Sequence, residues 1–407
     1  MIDAYVEALT REIETSPLSP PAADSFPSSL KMERGGTNEV SDGARTVFFG
    51  GGTPTLLEPR HFDKIISTLI SHSSLDISHL EISIEANPGT ADKAKLKALR
   101  ELGINRLSIG AQSFNPRHLK TLGRIHNPED IKRIFADARS VGFENINLDL
   151  MFALPDQTFE EWKNDLQTAI DLGPNHLSTY NLQIEENTPL WDKVKEPSPD
   201  TFKTLTLSQR ERVLPFAHNS PQRDSFSLWE KGESLASADE GFNLPDEETE
   251  LAMYEYTIEA LIAAGYQHYE ISNFARPGYE CRHNINYWKN GNYIGVGAGA
   301  HSHINGQRWS NPNCIEEYIR QASGETRNEM RDALRGTDDV SHIATAQRET
   351  LFLGLRLLDG IPTGKFNGFE KEVSGLINDG MLEEKDGNYR LTRKGLYLGN
   401  LVFEKFV

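Results

Sequence analysis

The stretch VFFGGGTPT, Val47 to Thr55, places three consecutive glycines directly after a short apolar run. Glycine costs chain entropy, so such a run marks positive φ angles or a close approach to the backbone. A tight turn alone explains a lone run of this kind equally well. Further along, a polar residue recurs wherever an apolar run stops: Glu85 with Asn87, Gln112 with Ser113, Asp149, Gln183 with Glu185, and Glu270 with Asn273. Any one of these reads as a turn residue, but all of them at one end of a fold make a polar mouth suited to a small ligand. The only cysteines are Cys281 and Cys314, which excludes a disulfide framework and any all-cysteine metal or cluster site within one chain.

The elements that must position these residues alternate regularly. Strand-like runs are predicted at 46–50, 79–86, 105–111, 145–151, 176–184 and 268–273, separated by helical runs at 92–103, 127–142, 158–173 and 250–265. Glycine closes each of the first three of these helices, as a C-terminal cap does. Strand–helix repetition means a parallel sheet. Polar residues at the C-terminal strand ends favour a β/α barrel over a doubly wound sheet, because barrels gather function there. The chain opens on a helix, with Ile2, Val6, Leu9 and Ile13 at helical spacing. Two stretches, 15–44 and 197–247, read as polar insertions. The first holds four prolines and five serines within residues 16–29, too little apolar surface to order itself. A helical patch is predicted near Leu205 to Val213 inside the second.

Length and charge bound the rest. At 407 residues the chain holds two domains, divided here as 1–310 and 311–407. The net charge of −18 argues against a nucleic-acid partner, which needs clustered Lys and Arg. No window approaches the ~20 apolar residues of a membrane helix. Few cysteines and an acidic start indicate an intracellular, cytoplasmic setting, or a mitochondrial one if a presequence precedes this chain. Beyond residue 340 the order is helix, helix, strand, turn, strand, helix, as in a winged helix. Residues 348–407 balance nine basic against nine acidic side chains, so this reads as a packing or lid domain and not a DNA reader.

Several motifs together carry a family resemblance: GGGTPT, EANPG, GAQSFN, LGRIH, NLDLMFALPDQT, YEISNFARPGYECRHNINYW and YIGVGAGAHS. The chain resembles the coproporphyrinogen oxidase-like radical S-adenosylmethionine (SAM) proteins, and within them the HemW haem chaperones. The resemblance implies a partial TIM-like (β/α) barrel of the radical SAM type plus a C-terminal HemN-like, winged-helix-like domain. It implies SAM contacts at Gly51, Gly52, Thr53, Glu85, Gln112, Arg124 and Asp149. Carboxylates can accept from ribose hydroxyls, and Gln and Arg can hold the amino-acid end. HNINYW matches the HNxxYW motif of the haem-chaperone branch, which implicates His283 in haem binding near the barrel mouth, with Tyr287 and Trp288 packing beside it. A lone histidine is more often structural, and Cys281 receives no role from the resemblance. Expected partners are haem or porphyrin and haem-accepting proteins.

Three departures qualify this. Asp156 stands in LPDQT where the family usually has glycine; if that turn needs a positive φ, Asp tolerates it better than most residues, at some cost. The two insertions are extra. The family's CxxxCxxC motif, whose thiolates hold a [4Fe-4S] cluster, is absent, and so is the first barrel strand. The expectation is therefore an N-terminally incomplete sequence with no radical chemistry as it stands. The alternatives are a porphyrinogen-oxidising radical SAM enzyme and a cluster-less barrel that binds SAM or haem.

Overall fold

The computed structural model describes residues 1–16, 46–73, 77–184, 243–322 and 340–407. Most of both predicted insertions, the patch near Leu205 and Glu185 lie outside the described residues. Helix α1 (Ile2–Thr15) buries Val6, Leu9 and Ile13 against α2 (Pro59–Ser73). The central sheet runs β1 (Thr46–Phe49), β2 (Glu81–Ala86), β3 (Arg106–Gln112), β4 (Asn145–Phe152) and β5 (His176–Asn181), all parallel and adjacent in chain order. With its crossover helices this is a curled half-barrel.

Strand alternation divides its two faces. Ile82, Ile84, Leu107, Ile109, Ile146 and Leu148 point outward into one apolar core with α2, α3 (Lys93–Glu101), α5 (Pro128–Ser140) and α6 (Phe159–Leu172). The intervening Glu81, Ser83, Glu85, Arg106, Ser108, Asn147 and Asp149 face the lumen. Trp162 on α6 anchors the far side, its Nε1 donating to the Met253 carbonyl at 3.1 Å and Thr257 Oγ1 at 2.9 Å. The predicted glycine stops hold. Gly103 and Gly142 follow α3 and α5 at φ +94°, and Gly173 caps α6 in the left-handed region. Asp156 adopts φ +54°, so the turn does need the left-handed region there.

The predicted sixth strand, 268–273, is not one parallel strand. It splits into β6 (Gln267–Glu270) and β7 (Asn273–Ala275), and β7 runs antiparallel between β5 and β6. The reason is local. Ser272 N–H donates to Glu270 Oε1, bending the chain back, while the C-terminal region takes neighbouring backbone groups: Leu358 N–H donates to Tyr269 O, and Ile271 N–H to Arg356 O. Glu270, fully buried, ion-pairs with Arg356 at 3.4 Å. Glu270 therefore belongs to an inter-domain tie and not to a ligand mouth.

The C-terminal region has its own core of Leu351, Leu355, Phe366, Val373, Leu376, Val402 and Phe406. The helix Glu370–Asn378 and the antiparallel hairpin of Leu382–Lys385 and Asn388–Leu391, joined by the short strand Ile361–Pro362, give the winged-helix-like order. The helix Ile315–Ala322 instead packs on α1, where Tyr318 O–H donates to Glu12. Among the described residues, no helix is long and apolar enough to cross a membrane.

Candidate functional site

The C-terminal strand ends gather most of the predicted residues. Gly51 and Gly52 take φ +83° and +60°, and space over the Gly51 Cα is open. Gly50 is constrained differently: a Cβ there would stand 2.5 Å from the Phe48 ring. The run thus serves a turn at two positions and close packing at the third. Gly51 N–H donates to Glu85 Oε2 at 3.3 Å, and Thr53 Oγ1 accepts from Asn87 at 2.9 Å. Burial, then the nearby Asp149 charge, pushes the Glu85 carboxyl up to about 7. Burial likewise raises Asp149, although Ser108 Oγ (2.9 Å) and Asn147 Nδ2 (2.7 Å) donate to it.

Gln112 joins this end through an irregularity. Register with β4 shifts between Ile109 and Gln112, and Gln112 takes φ +65°. A Cβ at Gly110 would meet Asn87 Oδ1 at 2.9 Å and Gln112 Nε2 at 3.0 Å, so that glycine lets the two amides close in. Arg124 is half-buried, and its Nε has no hydrogen-bond partner. Burial lowers its pKa, opposed by Asp149. Two other predicted strand-end residues do something else. Ser113 is fully buried and donates to Asp165, fixing the start of α4 (Pro116–Thr121) to α6, and Gln183 is exposed.

His283 lies at the opposite end of the strands, which corrects the expectation of a place near the mouth. Its Nδ1 is 2.9 Å from Thr46 Oγ1, at the start of β1, and its N–H donates to Glu81 Oε1, at the start of β2. The ring stacks on Phe48 at 4.8 Å between centroids, and Tyr287 meets it edge-on at 4.9 Å. Burial, then the Arg106 charge, lowers its pKa to about 4, so the imidazole is neutral at pH 7. The helix Arg282–Trp288 is held there by Glu81, which accepts from Arg282 N, His283 N and the Cys281 thiol. Trp288 is buried beneath Arg356, whose guanidinium lies 4.3 Å from its ring.

Sequence reasoning missed this lumen floor. His176 links Asn147 (2.6 Å) to Tyr269 (2.8 Å), and the Tyr269 hydroxyl accepts from Cys281 N. The signal was present: EISIE, RLSIG, NINLD and HLST place a polar residue at alternate positions inside otherwise apolar strands.

Among known proteins, family models match residues 36–169 as the radical SAM superfamily and 344–398 as the HemN C-terminal domain. The heme chaperone HemW of Lactococcus lactis is 31% identical, covering 100% of this chain and 90% of its own length. HemW of Bacillus subtilis is 34% identical over 89% and 85% respectively. The chain belongs to the HemW-type radical SAM family. The solved structure of Escherichia coli coproporphyrinogen III oxidase, HemN, superimposes with a TM-score of 0.65 at 21% identity, over 99% of this chain and 82% of that one, which shows a shared fold.

The family implies three groups, and the residues fit them unequally. A SAM-like zwitterion suits the mouth: Arg124 has an orphaned donor, and Glu85 and Asp149 offer acceptors. An iron ligand suits His283, whose Nε2 has no hydrogen bond among the described residues. A [4Fe-4S] cluster does not fit. Cys281 is buried on Glu81 with its thiol pushed up to about 11, chiefly by burial, and Cys314 lies exposed beside Glu316. Among the described residues no three His, Cys, Asp or Glu side chains could hold a metal.

Proposed function

We propose that this HemW-type chain binds haem on the HNINYW helix and SAM at the opposite, C-terminal end of the strands. The observation that carries the haem reading is His283: a neutral imidazole, tied through Nδ1 to Thr46 and stacked on Phe48, with Nε2 left without a partner among the described residues. When Nδ1–H donates to Thr46, Nε2 keeps the lone pair that ligates iron. Bound haem supplies the iron; the chain supplies the oriented imidazole and the aromatic wall of Phe48 and Tyr287.

At the mouth, Arg124 holds the ligand's carboxylate while Glu85 and Asp149 accept from its ammonium or ribose hydroxyls. SAM supplies a sulfonium there. The relatives named heme chaperones support handing haem to an acceptor protein over oxidising a porphyrinogen. In the test, His283→Ala abolishes or shifts the Soret band of the haem complex while circular dichroism stays unchanged. An unchanged spectrum and affinity would make His283 structural and overturn the assignment.

A further inference from the structure

One layer of the lumen is left unsatisfied. Because Ile82, Ile84, Leu107 and Ile146 face the helices, Ser83, Arg106 and Asn145 face inward. Strand register sets Ser83 beside Arg106, and Arg106 beside Asn145. All three carry a buried polar atom with no hydrogen-bond partner: Ser83 Oγ, Arg106 Nε and Asn145 Oδ1. Ser83 is 0% exposed and Arg106 2%. A buried guanidinium without an ion pair is costly, and the unpaired Ser83 hydroxyl and Asn145 amide oxygen beside it add to that cost.

The nearby carboxylates bond to other groups. Glu81 accepts from Arg282 N, His283 N and the Cys281 thiol, and Asp149 from Ser108 and Asn147. Among the described residues no carboxylate comes within 4.0 Å of Arg106. Burial opposes its charge, but its pKa is still raised, with the Glu81 and Asp149 carboxylates acting in that direction from longer range, so it stays a cation. The layer also continues toward the iron-ligand candidate. Phe48 is the register partner of Ser83, and the Phe48 ring carries His283.

We propose that Ser83 and Arg106, with Asn145 beside them, form a carboxylate subsite that receives a propionate arm of the haem whose iron faces His283. The Ser83 hydroxyl and the Arg106 Nε–H both donate, and a half-turn of the Asn145 amide points its NH2 at the same place. An anion there satisfies the donors and neutralises the buried cation at once. No bond is made or broken. The inference rests on the haem reading above and adds a second anchor to it.

The experiment compares haem with its dimethyl ester, in which both carboxylates are blocked, by absorbance titration of the full chain. The native chain is expected to bind the free acid ~tenfold or more tightly than the ester. Ser83→Ala, which removes one buried oxygen and little volume, shrinks that preference, and Arg106→Gln removes it. Circular dichroism checks each variant. If Arg106→Gln does not fold, the Ser83→Ala result decides. Equal binding of acid and ester by the native chain, or a preference that survives in Ser83→Ala, means that the layer holds internal water only and overturns the subsite. His283→Ala separates the two claims, since it tests the iron ligand and leaves the carboxylate anchor intact. If the native chain binds neither form, the haem reading and the subsite fall together.

Discussion

The two ends of the half-barrel use the same side-chain types in opposite ways. At the C-terminal ends, Glu85 has one long hydrogen bond from Gly51, lies beside a second buried carboxylate, and has its pKa raised to about 7. At the N-terminal ends, Glu81 accepts two backbone N–H groups and a thiol, and binds a helix to the sheet. A glutamate whose acceptors are filled by the fold is structural, and one left underused is available to a ligand.

Removing each carboxylate tests that contrast. Glu81→Ala strands two part-buried backbone donors and the buried Cys281 thiol and releases the HNINYW helix, so urea denaturation should show a loss of about 3 kcal/mol. Glu85→Gln removes the cost of burying a charge, so it should leave stability unchanged below pH 4.5 and stabilise the chain at pH 7 and above; equal losses at both sites would erase the distinction.

Acidity gives the next effect. The Glu85 pKa is raised from 4.5 to about 7, so the folded chain binds its proton more tightly than the unfolded one. That contribution is full below pH 4.5 and is lost as pH rises through 7, an upper bound of about 3 kcal/mol. Asp165, raised to about 6 chiefly by burial, acts in the same direction. Melting curves between pH 5 and 8 should therefore slope less in Glu85→Gln. A cationic ligand at the mouth favours ionised Glu85, so SAM affinity should rise over the same window. Calorimetry should show Asp149→Ala and Glu85→Ala weakening SAM by about 1–3 kcal/mol. Parent-like binding by both would remove them from the site.

The smallest effect is expected at Thr46. Thr46→Val deletes the partner of His283 Nδ1 and should cost about 1 kcal/mol in stability. It should also move the midpoint potential of bound haem, with Thr46→Ser restoring it. An unmoved potential would show that Thr46 does not orient the imidazole.

Most of the half-barrel was legible because strand ends, glycine caps and polar punctuation are local signals. Gly103, Gly142 and Gly173 stop their helices where the sequence puts them. The β6–β7 reversal was not legible, since it depends on Arg356 and Leu358, more than eighty residues downstream, taking up Tyr269 and Ile271. At the candidate mouth, the placing of Gly51, Thr53, Glu85, Gln112, Arg124 and Asp149 together could be read from motif and strand-end position. The height of His283 could not, because Glu81, two hundred residues earlier, decides where its helix docks.

Arg356 has a mechanical consequence. Its guanidinium joins buried Glu270 to the face of Trp288, and its carbonyl holds Ile271, so one residue of the C-terminal region grips both the sheet's last hairpin and the HNINYW helix. The two apolar cores are thereby riveted across a shared seam. Heat should melt them in one transition, and a pull on either should be felt at the histidine.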